Sequence, residues 1–147
     1  MTRATVMPAR PAMANLSTWA ALPTYQAYEI LHIGFAVLPI VAGLDKFLHF
    51  LQIGSWENYL APIVPRITGL EAHTFMLGVG VVEIIAGLLV AFWPRLGGYV
   101  VMLWLWGIIV NLLMIPNFFD VALRDFGLSL GALALARLSE DYGRPIH

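Results

Sequence analysis

LGGYVVMLWLWGIIVNLLMIP, residues Leu96 to Pro116, carries no charged side chain and is bracketed by Pro94 and Pro116. The hydrocarbon core of a bilayer takes about 20 apolar residues in a helix, and this stretch has that length. It does not alternate apolar with polar, as the strands of a membrane barrel do. It reads as a membrane-spanning α-helix, and it sets the scale for the rest of the chain.

Three further segments meet the same description. The first runs from about Tyr28 to Phe50, with an uncharged stretch from Ile33 to Leu44 and a kink expected at Pro39. The second runs from about Ala72 to Trp93 with Glu83 near its middle, and Thr68-Gly-Leu-Glu71 ahead of it fits a capping box. The fourth, after Leu96–Pro116, runs from about Asp120 to Leu138; its early turns carry Arg124 and Asp125, and its later turns are apolar. Between the first two spans, Trp56, Tyr59, Leu60 and Ile63 recur at helical spacing. That pattern predicts a short amphipathic helix over Ser55 to Arg66, lying in the membrane interface and ended by Pro62 and Pro65.

The expected fold is all-α: an integral membrane four-helix bundle with a short interfacial helix between helices 1 and 2. Residues 25–138 form the transmembrane domain and residues 139–147 a tail. Residues 1–24 are expected to be a mobile or interfacial arm. Pro8, Pro11 and Pro23 break this arm, so it lacks the sustained apolar core of a secretory signal. Leu16, Trp19, Ala20 and Leu22 are its candidates for touching the membrane surface.

Composition agrees. The 147 residues are 60% hydrophobic and 12% charged, about half the charged fraction of ordinary soluble domains. A net charge of -1 provides no basic surface for nucleic acid. The absence of cysteine excludes disulfides, thiol catalysis and cysteine-ligated zinc or iron–sulfur clusters. The histidines lack paired-ligand spacing, so no metal site is expected. With four spans, Arg3, Arg10, Arg95, Arg137 and Arg144 share one side, against Lys46, Arg66 and Arg124 on the other. The bias places both termini in the cytoplasm, here of a bacterial inner membrane.

Charge inside a bilayer is costly, so each such group needs a partner. Asp45, Lys46 and His49 end the first helix, and Asp120, Arg124 and Asp125 begin the fourth, at the same expected depth. Lys46 and Arg124 are expected to pair with Asp45, Asp120 or Asp125 across the two helices. Such a cluster is either an ion-pair clasp or a site for an anion or quinone headgroup, with His49 able to move protons. Glu83 lies about 16 Å into its helix at 1.5 Å per residue. It shares a face with Gly80 and Gly87, and its expected partners are Asn111 and Lys46. It is either a hydrogen-bonded helix contact or a proton relay. Trp104, Gly107 and Asn111 share a face of the third span. Gly127 and Gly131 form a small-residue pattern suited to close helix contact.

Gly43-Leu-Asp-Lys-Phe47, Gly80-Val-Val-Glu83 with Gly87, and Ala122-Leu-Arg-Asp-Phe-Gly127 resemble motifs of the DoxX/DoxD-like family of small four-helix membrane proteins. The resemblance covers roughly residues 27–138. It implies a redox setting: some members are membrane subunits of thiosulfate:quinone oxidoreductase, and others look like membrane partners in thiol-stress complexes. The expected function is then a membrane subunit or anchor of a quinone-linked redox system. Glu83 and His49 would be proton-moving residues; Asp45, Lys46, Asn111, Asp120, Arg124 and Asp125 would be binding residues. The implied cofactor is a non-covalently held quinone. The implied partners are the lipid bilayer and either a membrane or redox protein or a second copy of the chain. The alternatives are a structural or assembly subunit of a larger complex, and a small anion or proton carrier.

Overall fold

The computed structural model describes residues 20–51 and 55–143. The readings made for residues 1–19, including Leu16 and Trp19, and for Arg144 lie outside the described residues. Among the described residues the α-helices are, in order, α1 Pro23–Leu48, α2 Ile63–Thr68, α3 Ala72–Phe92, α4 Pro94–Leu113 and α5 Phe119–Tyr142, with a 3-10 turn at Trp56–Tyr59 between α1 and α2. Among the described residues there is no strand.

The helix limits follow from local chemistry. Proline at the first helical position suits both α1, at Pro23, and α4, at Pro94, because its fixed φ is helical and its missing N–H would be unsatisfied there anyway. α1 stops where His49 turns left-handed, at φ 50°, and its N–H returns to the Asp45 carbonyl at 2.7 Å. Trp93 alone separates α3 from α4. Two expectations change here. The capping box before α3 does not form: the Thr68 hydroxyl donates to Val64 O at 2.8 Å, and Glu71 makes no side-chain cap. The amphipathic segment is not one helix. It breaks at Leu60–Ala61 into the 3-10 turn and α2, with Pro62 as the N-cap of α2 rather than a terminator.

The four long helices alternate in direction, as their contacts show. Thr24 at the start of α1 meets Tyr142 at the end of α5, and His32 in α1 meets Val90 near the end of α3. α1 packs most extensively on α3, and α4 on α5; α3 with α4 and α1 with α5 touch more sparsely. Small residues set these distances. A Cβ on Gly43 would lie 2.4 Å from the Gly80 carbonyl oxygen, and one on Gly97 would lie 2.5 Å from the backbone of Val90. Neither crossing admits a side chain. The expected Gly127–Gly131 contact is half realised: Gly131 faces the Phe35 ring, whereas a Cβ on Gly127 would meet nothing within 4 Å.

Beside an apolar core, burial departs from that of a water-soluble protein in two ways: large aliphatic side chains face outward and charged ones lie inside. Ile30 and Ile33 are 71% and 60% exposed, whereas Asp45 and Lys46 are 0% and 3%. Apolar surface left outward is costly in water, at about 25 cal/mol per Å², and costs nothing against lipid. α1, α3 and α4 are long and apolar enough to cross a membrane. α5 is as long, but Asp120, Arg124 and Asp125 at one end and Arg137, Glu140 and Asp141 at the other leave a charge-free run only from Phe126 to Ala136.

Candidate functional site

α3 and α4 touch at Val90 and Gly97, next to the Trp93 joint. Toward their other ends, residues of both helices line a cavity of about 610 Å³, together with residues of the other elements. That size lies within the roughly 300–1,000 Å³ of small-molecule pockets. Its walls are mainly apolar, among them Met76, Val79, Leu105 and Ile108. Its residues with polar groups are few: Lys46 from α1, Trp56 and Tyr59 from the 3-10 turn, Glu83 from α3, Trp104 and Asn111 from α4, and Arg124 and Asp125 from α5. The formal charges of Lys46, Glu83, Arg124 and Asp125 cancel.

Lys46 and Glu83 form the central contact, with Nζ donating to Oε2 at 2.6 Å and both side chains buried. The Gly43–Gly80 crossing makes it possible, because it brings α1 and α3 close one turn away from the pair. Lys46 Nζ also stands 4.0 Å from the centroid of the Trp56 ring, a cation–π contact strengthened by exclusion of water.

Trp56 is fixed in turn by Asp45. The indole Nε1–H donates to Asp45 Oδ2 at 2.9 Å, while the N–H groups of Phe50 and Leu51 donate to Oδ1 at 2.8 and 2.6 Å. One carboxylate thus closes the end of α1 and anchors the segment that follows. Asn111 anchors the same segment from α4. Its Nδ2 donates to Tyr59 O at 2.6 Å, and its Oδ1 accepts from Ala61 N–H at 2.8 Å. Satisfying both backbone groups lets irregular chain lie buried against helices, with Leu60 and Ala61 out of solvent. This segment forms a wall of the cavity through Trp56, Tyr59 and Leu60. Its outer fastening is Glu57. Ser55 Oγ donates to Glu57 Oε2, and His73 Nδ1 lies 2.7 Å from Oε1. The Glu57 carboxyl is held below the usual carboxylate range, first by its own backbone N–H and next by His73.

Of the eight residues expected to form a site, Lys46, Glu83, Asn111, Arg124 and Asp125 line the cavity. Asp45 supports it through Trp56. Asp120, in the exposed first turn of α5, and His49, exposed past the end of α1, do not line it. The expected pairing is redirected. Among the described residues Lys46 pairs with Glu83, not with Asp45, Asp120 or Asp125, because Lys46 and Asp45, adjacent on α1, point about 100° apart. Asn111 serves the Tyr59–Ala61 backbone rather than Glu83. The expected Trp104–Gly107–Asn111 face does line the cavity. Trp56 is the residue that sequence reasoning missed. Its amphipathic spacing gave it a place at the membrane surface, and nothing in the spacing distinguishes a surface tryptophan from one folded inward.

One donor is left over. Trp104 Nε1 is buried and, among the described residues, meets no acceptor; an unmet buried donor costs about 1–3 kcal/mol. Among the described residues no three His, Cys, Asp or Glu side chains stand together as a metal site would need. Comparisons with protein-family models, curated proteins and solved structures each returned no match.

Proposed function

We propose that the chain crosses the membrane four times and that its cavity takes the ring of a quinone-class lipid. It would serve as a membrane subunit or anchor of a quinone-linked redox system. The observation that carries this reading is the cavity itself: apolar walls around a buried, charge-balanced polar floor, opening between helices that face lipid. The DoxX/DoxD-like motifs support the same assignment, since thiosulfate:quinone oxidoreductase has a membrane subunit of that kind. α5 is the fourth span in this reading. Its 24 residues reach about 36 Å at 1.5 Å per residue, and it packs along α4. The arginine bias supports cytoplasmic termini in a bacterial inner membrane. A partner redox protein, or a second copy, would complete the electron path.

The side chains fit such a ring. Lys46 and Arg124 are cationic donors for a ring oxygen, and Glu83 is a carboxyl placed to hold or release a proton beside it. A bound quinone supplies reversible electron-and-proton chemistry; the protein excludes water around it and fixes its oxygens. A second reading, a structural or assembly subunit, is favoured by one observation. Lys46 and Glu83 already satisfy each other at 2.6 Å, as a clasp would.

Decylubiquinone titrated into the protein in lipid nanodiscs separates the two. Saturable quenching of tryptophan fluorescence is expected, weakened at least about tenfold, or about 1.4 kcal/mol, in the Lys46→Met/Glu83→Leu double variant. Absence of saturable quenching in the wild type overturns the quinone reading and leaves the clasp. Cysteines at Arg95 and Asp141 should label from one side of the membrane and a cysteine at Leu51 from the other. Labelling of Arg95 and Asp141 from opposite sides would remove α5 as a span.

A further inference from the structure

Trp104 stands between two hollows. One is the cavity. The other is a crevice of about 360 Å³ between α3 and α4, lined by Val82, Ile85, Ala86, Leu89, Val100 and Leu103 together with Trp104. No charged or hydrogen-bonding side chain other than the indole borders it. Val82, Ile85 and Leu103 are also exposed on the outer surface, so the crevice faces the side on which lipid lies. Both hollows lie along α3 and α4 on the side of the Val90–Gly97 contact away from Trp93.

The indole N–H is a donor only, with no capacity to accept, and buried donors in native structures are almost always paired. Two polar groups of the cavity are already engaged: Glu83 Oε2 takes the Lys46 ammonium, and Asn111 Oδ1 takes the Ala61 N–H. Trp104 lies about 15 Å along α4 from Pro94 at 1.5 Å per residue, near the middle of a bilayer core of about 30 Å. Ordinary phospholipid chains are hydrocarbon at that depth and offer no acceptor. A ring bearing an oxygen, carried there on an apolar tail, does.

We propose that Trp104 is the junction between head and tail of the ligand. Its Nε1–H donates to a carbonyl or ether oxygen of the ring in the cavity, and the tail passes over the indole into the α3–α4 crevice. The ligand therefore arrives sideways from the bilayer. This rests on the quinone reading of the cavity and adds to it a specific donor, a tail subsite and a direction of approach.

The test uses the full chain in nanodiscs with two probes, decylubiquinone and the same methoxy-substituted ring without its tail. Trp104→Phe keeps the ring and removes the N–H; it should weaken both probes about tenfold at an unchanged melting temperature. Val82→Trp fills the crevice from its exposed side without touching the cavity. It should abolish the preference for the tailed probe while leaving the tail-less one unaffected. If wild type binds decylubiquinone saturably but neither variant changes these affinities, the junction is wrong and the cavity reading stands. If wild type binds neither probe, both fall together.

Discussion

At the Trp93 end α3 and α4 meet directly, at Val90 and Gly97; at the Lys46 end residues of both line the cavity with its polar groups, while α1 and α3 stay in contact through Gly43 and Gly80. The closed end is made of aromatic and aliphatic side chains, with Tyr28, Phe35, Val90, Val101 and Leu135 in one buried cluster. Its polar groups bridge helix ends, as Thr24 does to Tyr142, or terminate a helix. The His32 Nε2–H donates to the carbonyls of Val90 and Ala91, at 2.9 and 3.1 Å, near the end of α3. The open end places its charged groups between helices and closes them over with the irregular segment after α1. The same four elements thus give an apolar packed core at one end and, at the other, a cavity lined by Trp56, Trp104 and the Lys46–Glu83 pair.

The largest expected effect breaks the closed end. Gly97→Val would drive a side chain into the Val90 backbone, a collision with no flexible partner to yield, and should leave no folded protein in detergent. Gly107→Val, in open space beside the cavity, should melt close to wild type. Equal tolerance of the two would erase the contrast between the ends. Next comes the ion pair. Glu83→Leu strands a buried ammonium and should cost about 3–5 kcal/mol, with Lys46→Met/Glu83→Leu recovering most of it; thermal melts of the three proteins decide. A third, smaller effect concerns the cavity wall. Trp56→Phe keeps an aromatic face for Lys46 but removes the donor to Asp45, so it should cost about 1.5–3 kcal/mol, as for hydrogen bonds to charged groups. A melt unchanged from wild type would show that Asp45 does not hold the segment.

The smallest effect is that of pH on the outer fastening. Because the Glu57 carboxyl is depressed in the folded state, its contribution is complete above its ordinary value of 4.5 and is lost as pH falls through the lower, folded value. Its size should be about 1 kcal/mol or less, as for exposed pairs. Glu57→Gln should flatten the melting-temperature profile on the acid side of that value only. An identical acid limb in both proteins would detach Glu57 from the wall's stability.

The long helices were legible in the sequence because apolar length acts locally and Pro94 brackets α4; the start of α1 was not, since Pro23 read as a break in the arm and in fact opens the helix. Lys46 as one partner of Glu83 was legible because charge at that depth has few places to go. Asp45 was not, since the same carboxylate suits an ion pair or the end of a helix, and only the folded turn after His49 chooses between them. The Ser55–Arg66 segment misled for a related reason. Its helical spacing is real, but the Asn111 amide, some 50 residues away in the chain, supplies hydrogen bonds that make an irregular path cheaper than a continuous helix. The charge spacing of Asp120 and His49 was correct as arithmetic and silent about which helix face turns inward.

The single residue between α3 and α4 bears on how the protein reaches its place. With only Trp93 to turn on, no loop remains to rest in either compartment while one helix waits for the other. On the membrane reading proposed above, α3 and α4 would enter the bilayer together as a hairpin, and the orientation taken by one would dictate that of its neighbour.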